Sequence, residues 1–343
     1  MEDRKMRVLR EVVLGHIESS APIGSRTLSK SALSDLDLSP ATIRNVLADL
    51  DEEGFLIKQH SSSGRIPTEK GYRFFVEELM PAKPLPESQK KLINDTIASS
   101  AESGENSFEK VTKILNTFSH QASLMLLPSV TDSPIEKFHF LKINRNLIQA
   151  VLVTPHSRTQ NILFSIEEEW NESELTELSN FLNLGYSGLT LRQIRNRLRE
   201  SVTHHENRYK RLQETALAFH EKMLELIPAP EITLEGTADL LDAPEFEKNR
   251  KMLKQVLKTL SDRKRLLEII EKCIENRKVH ASLGSDFTSD EFNGCSLVTS
   301  SFVDMDGLQG TVGVMGPIRM DYPYIFGLLE HLSSEINRRF SSK

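Results

Sequence analysis

The sequence predicts an α+β, multidomain protein that opens with a winged helix-turn-helix. Three observations carry this prediction. The first 80 residues set three short helices before a two-stranded ribbon and a fourth helix. Strand-like runs occur in two sets, one before residue 168 and one after residue 277, with a mainly helical block between them. The 343 residues exceed what one compact core usually takes, so two or three domains are expected.

Each element follows from local chemistry. Arg4 to Ser19 is amphipathic, with Val8 and Val12 turned inward, and "SAPIGS" ends it with Pro and Gly. Ser25 to Ala32 reads as a second helix and "SDLDLS" as the turn into a third. Ser39 followed by Pro40 is a start signal, because Ser caps and Pro is preorganised for the first helical position. Gly54 supplies a left-handed stop. "FLIKQ" and "RIPT" then read as strands joined by "HSSSG", and Thr68 to Met80 as a fourth helix. "MPAKPLPES" marks a stiff boundary, so residues 1–80 form one domain and 81–105 a linker with a connecting helix.

Beyond the linker, Phe108 to His120 is amphipathic. "ASLMLLP", "KFHFLKI", "LIQAVLVT" and "NILFSIE" read as strands and Ser173 to Leu184 as a helix. "VHASLG", "CSLVTSSF" and "GTVGVMG" form the second strand set, before a final helix from Tyr322 to Phe340. The pattern implies one α+β domain split into residues 106–190 and 277–343, interrupted by a largely helical insertion at 191–276. Within the insertion, Met252, Val256, Leu257 and Leu260 mark one apolar face and Leu266, Ile269, Ile270 and Cys273 another. Such faces serve either as core or as a subunit interface.

Composition narrows the function. Charged residues make up 27% and the net charge is −6, which gives no sign of a polyanion partner at the level of the whole chain. No apolar run approaches the roughly 20 residues of a membrane span, and "MEDRKMRVLREVV" lacks the apolar stretch of a signal peptide. No membrane partner is expected. Two cysteines without a C-x-x-C motif read as reduced thiols of a cytoplasmic protein.

The third helix has an outer face unlike a solvated one. Ile43, Val46, Leu47 and Leu50 turn inward, while Ala41, Arg44, Asn45 and Ala48 lie opposite with Thr42 on the flank. Small residues allow close approach to a major groove; Arg pairs with guanine, Asn with adenine, and Thr or Ala touches a thymine methyl. Thr42, Arg44 and Asn45 are therefore the candidates for reading bases. Ser39 at the helix start, and Lys58, Ser61, Ser62, Ser63 and Arg65 on the ribbon, are the candidates for phosphate, with no acid between Gly54 and Thr68. Against this, residues 1–80 carry 11 Lys/Arg and 13 Asp/Glu. A helix that binds a protein partner is the competing reading.

"LSPATIRNVLADLDEEGFL" followed by "SSSGRIPTEKGYRFFVEEL" resembles the N-terminal domain of the HrcA family, the heat-inducible transcription repressors of bacteria. "DAPEF" at 242–246 and "GTVGVMGPIRMDY" at 310–322 extend the resemblance in the same order. The resemblance implies a dimeric repressor of chaperone operons that binds double-stranded DNA at an inverted-repeat operator. It also implies an activity maintained by the GroEL-type chaperonin. It makes the split domain GAF-like and the insertion a dimerisation domain.

No catalytic constellation is visible, so no enzyme is expected. Gly307, Gly310, Gly313 and Gly316 fit neither phosphate-loop spacing and suit a close-packed strand. His204 and His205 are adjacent and point apart on a helix, and Asp286, Asp290 and Glu291 lack calcium-loop spacing. No cofactor or metal is expected. A ligand sensor, with the α+β domain as receptor and the winged domain as effector, is the second class of function.

Overall fold

The computed structural model describes residues 3–30, 38–58, 64–81, 83–103, 107–127, 133–154, 159–166, 170–204, 210–227, 231–273, 279–287, 292–303 and 309–340. The chain is α+β and forms two compact units. One comprises Met1–Met125, Thr233–Ser301 and Val312–Glu335; the other comprises Leu126–Ile232, Phe302–Thr311 and Ile336–Lys343.

The first unit begins with helices α1 (Asp3–Ser19), α2 (Ser25–Lys30) and α3 (Pro40–Glu52). Strands β1 (Leu56–Lys58) and β2 (Arg65–Pro67) pair antiparallel, with Leu56 opposite Pro67 and Lys58 opposite Arg65. Helix α4 (Glu69–Phe74) follows and runs into a wider π-helical turn, Phe75–Leu79. The helices close over Val8, Leu9, Val12, Val13, Ile43, Leu50, Leu56, Tyr72 and Phe75, all buried. Ile23 bridges to β2, its N–H donating to the Arg65 carbonyl and its carbonyl accepting from the Arg65 N–H, both at 2.9 Å. That bridge explains a glycine: a Cβ at Gly64 would strike the Ile23 carbonyl.

The chain continues through α5 (Glu87–Ser103) and α6 (Ser107–Ser119) to β3 (Ala122–Leu126). After the second unit it returns through β9 (Ile232–Glu235), α10 (Pro244–Lys248), α11 (Arg250–Ser261), α12 (Arg263–Cys273), β10 (His280–Leu283), β11 (Cys295–Val303), β12 (Gln309–Pro317) and α13 (Tyr322–Phe340). The strands form a five-stranded sheet in the order β10-β11-β12-β3-β9. β3 and β12 are buried almost throughout, as in strands covered on both faces. Ser300 of β11 donates to Ser333 of α13 at 2.9 Å, and His331 of α13 lies 3.0 Å from Asn94 of α5. Gly310 and Gly313 mark close approach: a Cβ would meet the Phe302 ring or, at 3.1 Å, the Val298 carbonyl. Gly307 lies outside the described residues.

The second unit holds β4 (Pro134–Ile135) paired with β8 (Leu189–Thr190), and the three-stranded antiparallel sheet of β5 (Lys137–Lys142), β6 (Leu147–Val153) and β7 (Thr159–Ser165). Helices α7 (Glu172–Tyr186), α8 (Leu191–His204) and α9 (Lys210–Leu226) complete it. Phe138, Phe140, Ile148, Leu152, Ile162 and Phe164 share one buried cluster with Leu178, Leu182, Ile194, Leu198 and Phe219. Phe219 meets the rings of Phe140, Phe164 and Trp170 at 5.6, 5.1 and 5.4 Å.

Sequence patterning puts the insertion at 191–276, whereas the second unit runs mainly over Leu126–Ile232. The physical reason is visible strand by strand. β5 and β6 alternate buried and less buried residues, so one face is free and the other packs on α7–α9. These strands therefore side with the helices that follow them and not with the doubly covered sheet. Residues 250–273 go the other way. Leu253, Val256, Leu260, Leu266, Ile269 and Ile270, which belong to the first unit, are buried as core, whereas Met252 and Leu257 of the first face are half-buried.

Candidate nucleic-acid interface

Helix α3 is built as its sequence dictates. The Ser39 side chain accepts from the Thr42 N–H at 3.1 Å, Pro40 occupies the first turn, and Gly54 follows the helix with φ of +78°. Ile43, Val46, Leu47 and Leu50 are buried, which turns Ala41, Arg44 and Asn45 outward. Arg44 and Asn45 are exposed, and neither makes an ion pair or side-chain hydrogen bond with another described residue. Thr42 differs: it is half-buried, and its hydroxyl lies 2.9 Å from that of Ser39, within the cap.

Acidic residues crowd the C-terminal half of the helix, and among the described residues two cations, Lys5 and Arg65, pair with them. Lys5 of α1 lies 3.4 Å from Asp49 and 2.6 Å from Glu53. Lys70 donates to the Glu53 carbonyl at 2.8 Å and sits 4.3 Å above the Phe55 ring. Helix α3 therefore carries an exposed Arg44 on its first turns and acids on its last, of which Asp49, Asp51 and Glu53 have ion-pair partners. Reading the sequence for exposed cations did not single out Lys5; its signal was a Lys on α1 facing two acids on α3.

The ribbon divides its two cations. Lys58 is exposed at the end of β1. Arg65 is mostly buried, its Nε 2.8 Å from Asp51 of α3 in an ion pair without the alignment of a hydrogen bond. The side chain expected to face phosphate thus braces the ribbon against α3. Thr68 closes the same turn, its hydroxyl donating to the Gly54 carbonyl at 2.7 Å while it caps α4. A Cβ at Gly71 would strike the Phe55 carbonyl. Much of the "GRIPTEKGYR" motif is thus structural. Ser61, Ser62 and Ser63 lie outside the described residues.

Elsewhere, the buried titratable groups among the described residues serve the core. Among the described residues no group of three His, Cys, Asp or Glu is placed to hold a metal, and no helix is long and apolar enough to cross a membrane. Cys295 is buried, and burial pushes its thiol up to about 12. His220 is buried with Nε2 2.6 Å from the Leu191 carbonyl, and burial pulls it down to about 4. Both act as neutral core groups.

Comparison with known proteins gives these features a class. Residues 105–325 match the model of the HrcA protein C terminal domain. The heat-inducible transcription repressor HrcA of Geobacter sulfurreducens is 28% identical over 338 residues, 98% of each chain. The protein of the same description from Syntrophobacter fumaroxidans is 30% identical over 96% of this chain and 94% of its own. A crystal structure described as a hypothetical protein shares the fold, with a TM-score of 0.57 at 18% identity over 100% of this chain and 99% of its own. The class is that of transcription repressors and not of enzymes. The chain belongs to the HrcA family.

Proposed function

We propose that the chain represses heat-shock chaperone operons in the cytoplasm by binding an inverted-repeat operator as a homodimer, and that a GroEL-type chaperonin maintains this activity. Residues 1–80 act as a winged helix-turn-helix, the five-stranded sheet and its helices as a GAF-like domain, and the second unit as the dimerisation domain. One observation carries the reading: α3 presents Arg44 and Asn45 outward, partnerless among the described residues, beside the small Ala41. Arg44 and Asn45 read bases, with Thr42 alongside them through its methyl group. Lys58, Ser39 and the Ser61–Ser63 turn meet phosphate, and Arg65 sets the ribbon's angle.

Dimerisation draws support from the second unit. The sheet face away from α7–α9 exposes Leu141 and Leu163 by about half, in register on either side of Gln149. Apolar residues on an open sheet face suit a self-complementary contact. Heat control follows if loss of that contact exposes apolar surface, which a chaperonin binds.

A sensor reading has its own observation. A cavity of about 420 Å³ in the first unit is lined by Ile17, His120, Asp239, Asp242, Arg319 and Tyr324, within the usual size for small ligands. One experiment separates the two. Protein freed of small molecules is refolded with and without chaperonin, and its binding to inverted-repeat and scrambled DNA is measured by mobility shift. Chaperonin-dependent recovery of operator-selective binding is expected; recovery only on adding a metabolite or metal establishes the sensor instead.

A further inference from the structure

Three sequence blocks tie this chain to its family, and they meet in space. Arg319, from the third block, extends Nη1 to the carbonyl of Ile17 in the last turn of α1, at 2.6 Å. Its Nε pairs with Oε1 of Glu245, from the second block, at 2.5 Å. Tyr72, from the first, is buried with its hydroxyl 2.6 Å from His16 Nδ1 and its ring 6.2 Å from that of Tyr322, again from the third. Burial and the nearby Arg319 pull His16 down to about 4, so it is neutral near pH 7. A second clamp lies on α4: Arg73 donates to Asp286 at 2.8 Å, and Glu69 accepts from the Ser285 N–H at 3.0 Å. All these residues belong to the first unit.

The chemistry suits a rigid joint. The last carbonyls of a helix lack intrahelical partners, and a cation there is favoured by the helix dipole. A planar guanidinium holds a carbonyl and a carboxylate at fixed angles, which a Lys ammonium does not. Arg319 is also largely buried, with 14% of its side chain exposed, so solvent does little to loosen it. Helix α1 in turn packs Val8, Leu9, Val12 and Val13 into the core that α3 completes with Ile43 and Leu50. An angle imposed on α1 passes directly to α3.

We infer that Arg319, held by Glu245, is a positioning residue that fixes residues 3–80 on the five-stranded sheet and so sets the pointing of α3. The inference rests on the reading of the chain as a dimeric operator binder. In such a binder a loose joint leaves each recognition helix able to meet a half-site. It spoils the simultaneous engagement of two half-sites at one spacing.

The test compares the full-length protein with Arg319→Ala, Arg319→Lys and Glu245→Gln on a single half-site, on the full inverted repeat, and on repeats with the spacer lengthened or shortened. Arg319→Ala is expected to lose about tenfold or more on the full repeat, to stay within about twofold on the half-site, and to flatten the dependence on spacer length. Arg319→Lys is expected to recover only part of this. Equal losses on half-site and full repeat, or no loss on either, overturn the inference. If Arg319→Ala does not fold by circular dichroism, Glu245→Gln carries the test with the same criteria, since it keeps the side chain's shape and Arg319 itself. A wild-type protein with no preference for the inverted repeat overturns the operator reading instead.

Discussion

Helix α3 and the β1–β2 ribbon both entered as carriers of DNA-binding cations, yet they use their arginines in opposite ways. Arg44 stands exposed on the first turns of α3 with no described partner. Arg65 is turned inward against Asp51 and shares two backbone hydrogen bonds with Ile23. Among the described residues, one arginine is left without a partner and the other is occupied by the fold. Where an arginine occurs in a motif therefore says little about what it binds until its neighbours are known. On the ribbon a nearby acid on α3 takes the charge, while on the helix the outward neighbours are small and uncharged.

The contrast can be broken at either end. Arg44→Ala should cost about 1–3 kcal/mol on the cognate operator and much less on random DNA, because a side chain that reads a base edge carries discrimination. Fluorescence anisotropy on both DNAs measures this, and equal losses would reduce Arg44 to a phosphate anchor. Arg65→Ala should act through the fold. The ion pair with Asp51 is only partly exposed, so its loss should lower stability by about 1 kcal/mol. Any weakening of DNA binding should be the same on both sequences. Asp51→Asn should reproduce the stability loss without removing the arginine, and thermal unfolding of the two variants checks that agreement.

How much of this was legible in the sequence depended on how local the signal was. The Ser39–Pro40 start, the Gly54 stop and the inward stripe of α3 are decided within a few residues, and the structure has each of them. The final helix, Tyr322–Phe340, also matches its pattern. The partner of Arg65 was not legible, because Asp51 lies on another element and only the folded register brings them together. The division of the strands was half legible. "KFHFLK" alternates and "ASLML" does not, a difference that separates a one-faced sheet from a doubly covered one. Which sheet each strand joins still depends on the helices it meets. The convergence of Arg319, Glu245 and Ile17 needed the fold itself, since no local pattern links residues 302 positions apart.

The smallest expected effect lies at Lys58, and it sharpens the comparison within the ribbon itself. Lys58 and Arg65 sit opposite each other in register, at the same level along the ribbon. They differ in that Lys58 is exposed while Arg65 is paired. A cation meeting phosphate releases counterions, and each lost contact should lower the slope of log affinity against log salt by about one unit. Lys58→Gln should therefore flatten the slope by about that amount on operator and random DNA alike, with thermal stability unchanged. Arg65→Gln should leave the slope nearly as it is while lowering stability, because its charge is already neutralised by Asp51. A titration of binding against salt for the two variants, side by side, measures the difference. Equal slopes for both would mean that Asp51 releases Arg65 when DNA arrives, and that the ribbon's two cations act as a pair.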